Sequence, residues 1–506
     1  MHSRMNPWSS VSLVVALLFA GCGSSSTSPD AGTQVDAGVT VDAGVTDDAG
    51  VTDDAGITDD AGTADSGVAE ALPCEKTQGV CAGARRAMVD GAYEPVCTAR
   101  SYGADYEATE TRCDGLDNDC DGVTDPATWT EVAPMKWAPY ARSVDSLPVE
   151  GGFLMVYVDS PEGIQVLRFD ESLNLQGTSM IPLDPGFSPV TEAQLLRTSR
   201  GPALYFTALH FQTGSTAEGR LVQLDEQGAP IGSPEGVVLF EQPTTQPAAR
   251  AAASVDGQRI SVVWAANISG VREVQGMLVD PAGQVLVPPR VLFQSDSPNL
   301  HSPRVMGMGD GNFLVTAYDE GETVDDTRIR LRRHDRELRL VGDERRLSVA
   351  FGAIPTLLMM PAKEGGEEPV MLYREPDGHN PRLHEVRHLF AGGTPVTLTS
   401  TAWSQSSVLG ATMTSRGLQL AWITMGYMPV PGQESGFIYE GRLWGMSPSG
   451  VVTDWTPGPA PMPLHRNGEW VLMHELPGHW MGALLMTATT VPPEAYTLHS
   501  LRYCAP

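Results

Sequence analysis

The sequence predicts an all-β protein whose main domain is a seven-bladed β-propeller, and three observations carry that expectation. The first is composition: 506 residues with 53 Gly, 39 Pro and 41% hydrophobic residues favour many short strands and turns over long helices. The second is a phrase that recurs from residue 129 onward: a glycine turn, an apolar strand, a hairpin, a second strand and a further turn. Its turn glycines are Gly152, Gly201, Gly257, Gly311, Gly366, Gly417 and Gly468, spaced by 49, 56, 54, 55, 51 and 51 residues. The third is the alignment of strand-like runs on those glycines, at 153–158, 203–208, 260–265, 313–318, 369–373, 418–423 and 470–474. Second runs follow at 166–170, 221–225, 277–280, 329–335, 383–389, 443–447 and 498–503. Seven units of about 50 residues suit four-stranded blades, and fit neither tetratricopeptide nor ankyrin lengths. Rings of six or eight blades and tandem β-sandwiches are the competing arrangements. Asp-box, WD and kelch signatures are absent from the sequence.

The hairpin chemistry supports short antiparallel strands. Asp225 to Gly228, Asp280 to Gly283 and Ser447 to Gly450 are turn phrases that join one strand to the next. A ring also needs closure. The strand-like run 129–135 is expected to complete the last blade beside 496–504, with a disulfide from Cys504 to the N-terminal region clamping the joint.

Ahead of the repeats the chain changes character twice. Arg4 precedes an apolar run at 11–20 that is too short to span a bilayer, which needs about 20 residues, and has the length of a signal-peptide core. From Val35 to Gly62 the sequence cycles through Val-Asp-Ala-Gly and Val-Thr-Asp-Asp-Ala-Gly. With no apolar face at helical or strand period, this segment cannot offset its folding entropy and reads as a disordered tether. The expected division is 1–21, a signal segment; 22–73, the tether; 74–128, a cysteine-rich module; and 129–506, the propeller.

The net charge of −29 sorts by segment. Residues 23–73 hold eleven acids and no Lys or Arg; residues 74–125 hold eleven acids and five bases. More than half of the charge therefore lies in the first quarter of the chain, and the remainder is a mildly acidic surface. Nucleic acid is excluded as a partner, since phosphate binding needs clustered Lys and Arg.

Besides Cys22, six cysteines remain: Cys74, Cys81, Cys97, Cys113, Cys120 and Cys504. An even number in an exported chain implies three disulfides. Five lie within 74–120, so Cys504 most simply pairs back to the module. Sequence leaves the fifteen pairings open. Within the module, Asp117, Asp119 and Asp121 alternate, Gly122 turns the chain, Val123 offers its carbonyl and Asp125 falls at the ninth position. That is the ligand rhythm of an EF-hand loop. The twelfth position is Thr128 instead of the bidentate Glu, so the shell needs Asp114, a backbone oxygen, Glu110 or Glu131. Hard oxygen donors select Ca²⁺ over copper or zinc, and the expected role is structural, neutralising packed carboxylates.

Two resemblances can be named. Leu18-Phe19-Ala20-Gly21-Cys22 resembles a bacterial lipoprotein processing site. The resemblance implies cleavage before Cys22, lipidation of its thiol, and a membrane partner through that anchor at the outer membrane or cell surface. The string Cys113-Asp-Gly-Leu-Asp-Asn-Asp-Cys-Asp-Gly-Val-Thr-Asp125, with its Cys74, Cys81, Cys97 lead-in, resembles the metal-binding motif of secreted proteins and lipoproteins of myxobacteria-like species. The same motif is associated with the methanotroph surface copper-binding protein of the MopE type.

Catalytic signatures are weak. His474-Glu475-x-x-x-His479 has a spacing of five, not the four of a zinc-protease helix, and sits in a strand and Pro-Gly turn. His379, His384 and His388 alternate with Arg382 and Arg387, as on a solvated hairpin. Arg328, Arg330, Arg332, Arg333, Arg336 and Arg339 form a basic stripe, read either as a face paired with Asp325, Asp326, Glu337 and Glu344 or as a docking patch. The leading expectation is a calcium-binding surface lipoprotein displaying a propeller for a protein or glycan ligand. The alternatives are a propeller hydrolase or lyase acting on carbohydrate, and a copper-handling surface protein.

Overall fold

The computed structural model describes residues 71–504 apart from 127, 136–143, 160–162, 184–186, 211–215, 244–247, 269, 296–299, 322–325, 350–354, 362–366, 376–381, 387–388, 390–395, 398–404, 415–416, 429–435, 447–451, 455–467 and 489–495. Cys22, the signal segment, most of the tether, Gly366, His379, His388 and the 447–450 turn lie outside the described residues.

Seven four-stranded antiparallel sheets follow one another at 144–182, 187–243, 249–295, 300–348, 356–397, 405–454 and 468–504. The last of these takes its fourth strand from the N-terminal side: Thr128–Met135 pairs with Tyr496–Cys504, Trp129 opposite Leu501. The first strand of each sheet packs on the first strand of the next, and that of the seventh sheet on that of the first. The sheets therefore close into a ring, a seven-bladed β-propeller with blades 1 to 7 in chain order. The closing strand is the one expected, beginning one residue earlier, at Thr128.

Burial explains why the second strands read as unbroken apolar runs. In Gly152–Asp159, Leu154, Val156 and Val158 join the core shared with blade 2, while Phe153, Met155 and Tyr157 join the core shared with blade 7. Side chains alternate across a strand, and here both faces are covered by neighbouring blades, so both must be apolar. The same holds for Gly201–His210 and Ile260–Ile268. Truncating one such side chain, Leu154→Ala, costs about 2–5 kcal/mol.

Four blades share one turn between their third and fourth strands. Asp170, Asp225, Asp280 and Asp335 each accept backbone N–H groups on the side chain, and a residue three positions on donates back to the Asp carbonyl. That residue is Gly228 or Gly283 in blades 2 and 3, but Leu173 (φ +67°) and Leu338 (φ +57°) in blades 1 and 4. Both leucines are buried, Leu173 against blade 7 and Leu338 against blade 3. Apolar burial outweighs the left-handed backbone cost of roughly 1–2 kcal/mol.

One repeat assignment is corrected. Gly468 opens the first strand of blade 7, Gly468–Glu475, and is not that blade's turn glycine. The turn runs through Leu476–His479, where Gly478 takes φ +73°. A Cβ there would lie 2.7 Å from the Thr111 carbonyl, because this turn docks on the N-terminal module. Cys113 N donates to Gly478 O at 2.9 Å, Trp480 Nε1 donates to Thr111 O at 2.8 Å, and Arg502 stacks over Trp480.

The module has little regular structure: a 3-10 turn at Gly79–Cys81, a hairpin of Met88–Val89 with Ala92–Tyr93, and one helical turn, Ala99–Tyr102, capped by Thr98. Disulfides supply its core. Cys74–Cys97 and Cys81–Cys120 pack with Tyr102, Val80, Ala84 and Tyr106, and Cys113–Cys504 ties the module to the last strand of the ring. All six cysteines pair, with Cys504 returning to the module as expected.

Candidate functional site

The aspartate loop folds on its own carboxylates. Asp114 Oδ1 accepts from Leu116 N, Asp117 from Asp121 N and Gly122 N, Asp121 Oδ1 from Val123 N, and Asp125 Oδ2 from Gly115 N, at 2.8–3.1 Å. Asx turns at Asp114 and Asp121, with the longer-range bonds of Asp117 and Asp125, explain why aspartate recurs through this loop. The preceding 3-10 turn packs against the loop, Val80 N donating to Asp117 O at 3.1 Å. Gly79 is needed for that approach: a Cβ would come within 2.2 Å of the same carbonyl.

Of the expected ligands, the structure brings Asp117 and Asp119 together, and it adds Glu110. One carboxylate oxygen from each lies within 4.8 Å of the others. The carboxylates of Asp114, Asp121 and Asp125 are not in this group; Asp114, Asp121 and Val123 are exposed, and Asp114 lies 3.6 Å from Arg112. Glu131 is on the closing strand, opposite His499. Glu110 and Asp117 are only 7% and 6% exposed. Glu110 Oε2 accepts from Asn118 N at 3.0 Å, whereas Oε1 is buried with no hydrogen-bond partner among the described residues. Burial, then the charges of Asp125 and Asp119, push the Glu110 carboxyl above its usual range. Lys76 Nζ donates to the Asp119 carbonyl, leaving the carboxylate aside.

A cavity of about 490 Å³ opens between blades 1, 6 and 7. Glu171, Glu475, His474 and Thr412 supply its polar lining, with Phe153 and Pro148 among the apolar groups. His474 Nε2 lies 2.8 Å from Ser146 Oγ and its ring stacks on Phe153. Burial holds its pKa down at about 4, so it is neutral at physiological pH. His479 is exposed in the turn and pairs with Glu475 at 3.3 Å. The two histidines of the sequence motif therefore serve different surroundings and, among the described residues, join no group of metal-ligating side chains.

The basic stripe divides between interior and surface. Arg330, Arg332 and Arg346 converge on Glu344 at 2.6–2.9 Å, and Arg330 and Arg332 lie over the Phe293 ring. Burial acts to raise the Glu344 carboxyl, but the hydrogen bonds and charges of these arginines outweigh it and hold it at about 2. Arg333 pairs with Asp310. Charges committed in this way favour the structural reading over a docking patch.

No family model matches the chain, and no curated protein matches it. Among solved structures, the polysaccharide lyase Uly1 aligns at 9% identity and a TM-score of 0.41, over 72% of this chain and 90% of that one. The lectin of Aleuria aurantia, a six-bladed β-propeller, aligns at 12% identity and 0.35, over 65% and 100%. A thermostable family-43 glycoside hydrolase aligns at 13% and 0.34, over 55% and 98%. Scores this low carry no argument about activity, and the count of seven blades comes from the chain's own sheets.

Proposed function

We propose that the chain is a surface-displayed binding propeller whose N-terminal module is fixed by a calcium ion. The carrying observation is the buried Glu110 carboxylate, one oxygen unpartnered among the described residues, beside Asp117 and Asp119. A buried carboxylate among like charges is costly unless a cation neutralises it. All three donors are hard oxygens, which suits calcium and disfavours the copper reading. Glu110, Asp117 and Asp119 would hold the ion, which supplies charge neutralisation and order. The lipid anchor at Cys22 would place the protein at the outer membrane or cell surface. Ala71–Pro73 already pair with Arg85 and Arg86 of the module, and a coil of residues 23–70 would have an end-to-end distance of about 40 Å, enough to lift the ring from the lipid. The blade 1–7 cavity would then receive a hydroxyl-rich glycan or protein segment.

Calorimetry on the full-length chain tests the metal assignment. Calcium should bind in a 1:1 ratio, with Glu110→Gln and Asp119→Asn each weakening it at least tenfold and Asp121→Ala leaving it within threefold. Unchanged affinity in Glu110→Gln refutes the assignment.

The cavity favours a second reading, a hydrolase or lyase acting on carbohydrate, because Glu171, Glu475 and His474 share it. Carboxylates paired across a cleft are the groups such chemistry uses. Turnover of a polysaccharide that Glu475→Gln abolishes, with ligand binding retained, would favour this reading; binding without turnover favours the first.

A further inference from the structure

Blade 4 breaks the regular pairing of its first two strands at one place. Between Leu300–Gly307 and Phe313–Asp319, His301 faces Tyr318 and Arg304 faces Thr316, so Ser302 and Pro303 together stand opposite Ala317 alone. This is a β-bulge, by which a strand re-aims a side chain. The first strands of blades 1 and 3 pair with their second strands without such a break. Ser302 takes φ +49°. That region is costly for a residue with a Cβ, and the proline that follows favours extended backbone at Ser302 instead. Strain of this kind persists only where the surroundings enforce it, and it collects at functional sites.

The bulge brings together side chains that a regular strand keeps apart. Successive side chains on a strand point to opposite faces, yet Ser302 Oγ lies 2.7 Å from Nδ1 of His301, its chain neighbour. The imidazole packs beside the Tyr318 ring, at 5.1 Å between centroids. Its other nitrogen, Nε2, lies 3.7 Å from Glu320 Oε2. The neighbouring acid, Asp319, is engaged by Ser295 Oγ and Arg330. A carboxylate on the Nε2 side favours the ring proton there, which leaves the Nδ1 lone pair to accept the Ser302 hydroxyl. Hydroxyl, imidazole and carboxylate thus stand in the order by which an activated serine is recognised, whatever the fold. The His301 side chain is 40% exposed and Ser302 is half-buried, so the group opens to solvent. None of these residues belongs to the blade 1–7 cavity or to the carboxylate group of the module.

We propose that Ser302 is the nucleophile of an esterase site, with His301 as its general base and Glu320 positioning the imidazole. Ser302 Oγ bonds to the carbonyl carbon of a carboxylic ester while its proton passes to His301 Nδ1. The ester C–O bond then breaks, and the leaving alcohol takes that proton. Water next attacks the acyl-serine and gives a proton to His301 Nδ1. The acyl–Oγ bond breaks, Ser302 recovers that proton, and the carboxylic acid departs.

Turnover of 4-nitrophenyl acetate by the full-length chain, together with fluorophosphonate labelling, tests this. The label should map to Ser302, and Ser302→Gly should abolish both labelling and turnover. Glycine eases the positive φ, so this variant should melt no lower than the wild type, which separates lost chemistry from lost folding. His301→Gln and Glu320→Gln should lower kcat about a hundredfold and about tenfold, with KM unchanged. Absence of label at Ser302, or turnover that survives in Ser302→Gly or His301→Gln, overturns the proposal, as does a kcat that Glu320→Gln leaves unchanged.

Discussion

Removing the clamp between the module and the ring should destabilise the whole protein, not the module alone. The perturbation is the double variant Cys113→Ser with Cys504→Ser, which leaves no unpaired thiol behind. These cysteines are separated by 391 residues, so the crosslink encloses the entire propeller. In the chain-entropy account, closing a loop of that length contributes about 6 kcal/mol by restricting the unfolded chain. For Cys74–Cys97, separated by 23 residues, the same relation gives about 3 kcal/mol. The closing strand, Thr128–Met135, keeps its pairing in the variant, so the native ring persists and the loss is felt on unfolding. Denaturant titration followed by tryptophan fluorescence should show a fall on the order of 6 kcal/mol. A control with Cys74→Ser and Cys97→Ser should lose about half as much. A clamp variant within about 1 kcal/mol of the wild type, or no worse than the control, refutes the reasoning.

Other outcomes follow from the packing and the buried charges. Leu173→Ala should cost about 2–4 kcal/mol, and Leu173→Gly about 1 kcal/mol less because it relieves the positive φ; chemical denaturation of the two variants checks the order. His334 and His474 are both held near pKa 4 by burial. Their contribution is complete above the unfolded value of about 6.5 and is lost as pH falls toward 4, up to roughly 3 kcal/mol each. Unfolding midpoints from pH 7 to pH 4 should therefore drop, and less so in His334→Gln. Glu110 has the opposite sign: its raised pKa makes metal-free protein lose stability as pH rises through the carboxylate range. Calcium should remove that loss, which melts in chelator and in calcium at pH 4 and pH 7 will reveal.

Much of the fold was legible because blade packing imposes a strong sequence signal. Second strands such as Gly201–His210 are covered on both faces, so their apolar runs stand out, and the turns after Asp225 and Asp280 carry glycine where φ is positive. Turns with identical hydrogen bonding after Asp170 and Asp335 were hidden, because Leu173 and Leu338 occupy the glycine position to fill interblade space. Blade 7 broke register for a similar reason: its turn is shaped by the module, and no local pattern encodes that contact. Disulfide count placed Cys504, but only three-dimensional proximity selected Cys113 from the five candidates. In the aspartate loop, spacing pointed to an EF-hand shell; Asp117, Asp121 and Asp125 all accept backbone N–H groups, and of the expected acids it is Asp117 and Asp119 that lie beside Glu110. Glu110 was one of several acids able to complete the shell, and burial singles it out.

Anomalous scattering from crystals of the full-length chain grown with calcium tests the central claim most directly. A single peak bounded by the carboxylates of Glu110, Asp117 and Asp119 is the predicted result. A peak ringed by Asp121, the Val123 carbonyl and Asp125, or the absence of any peak in the module at saturating calcium, would contradict it.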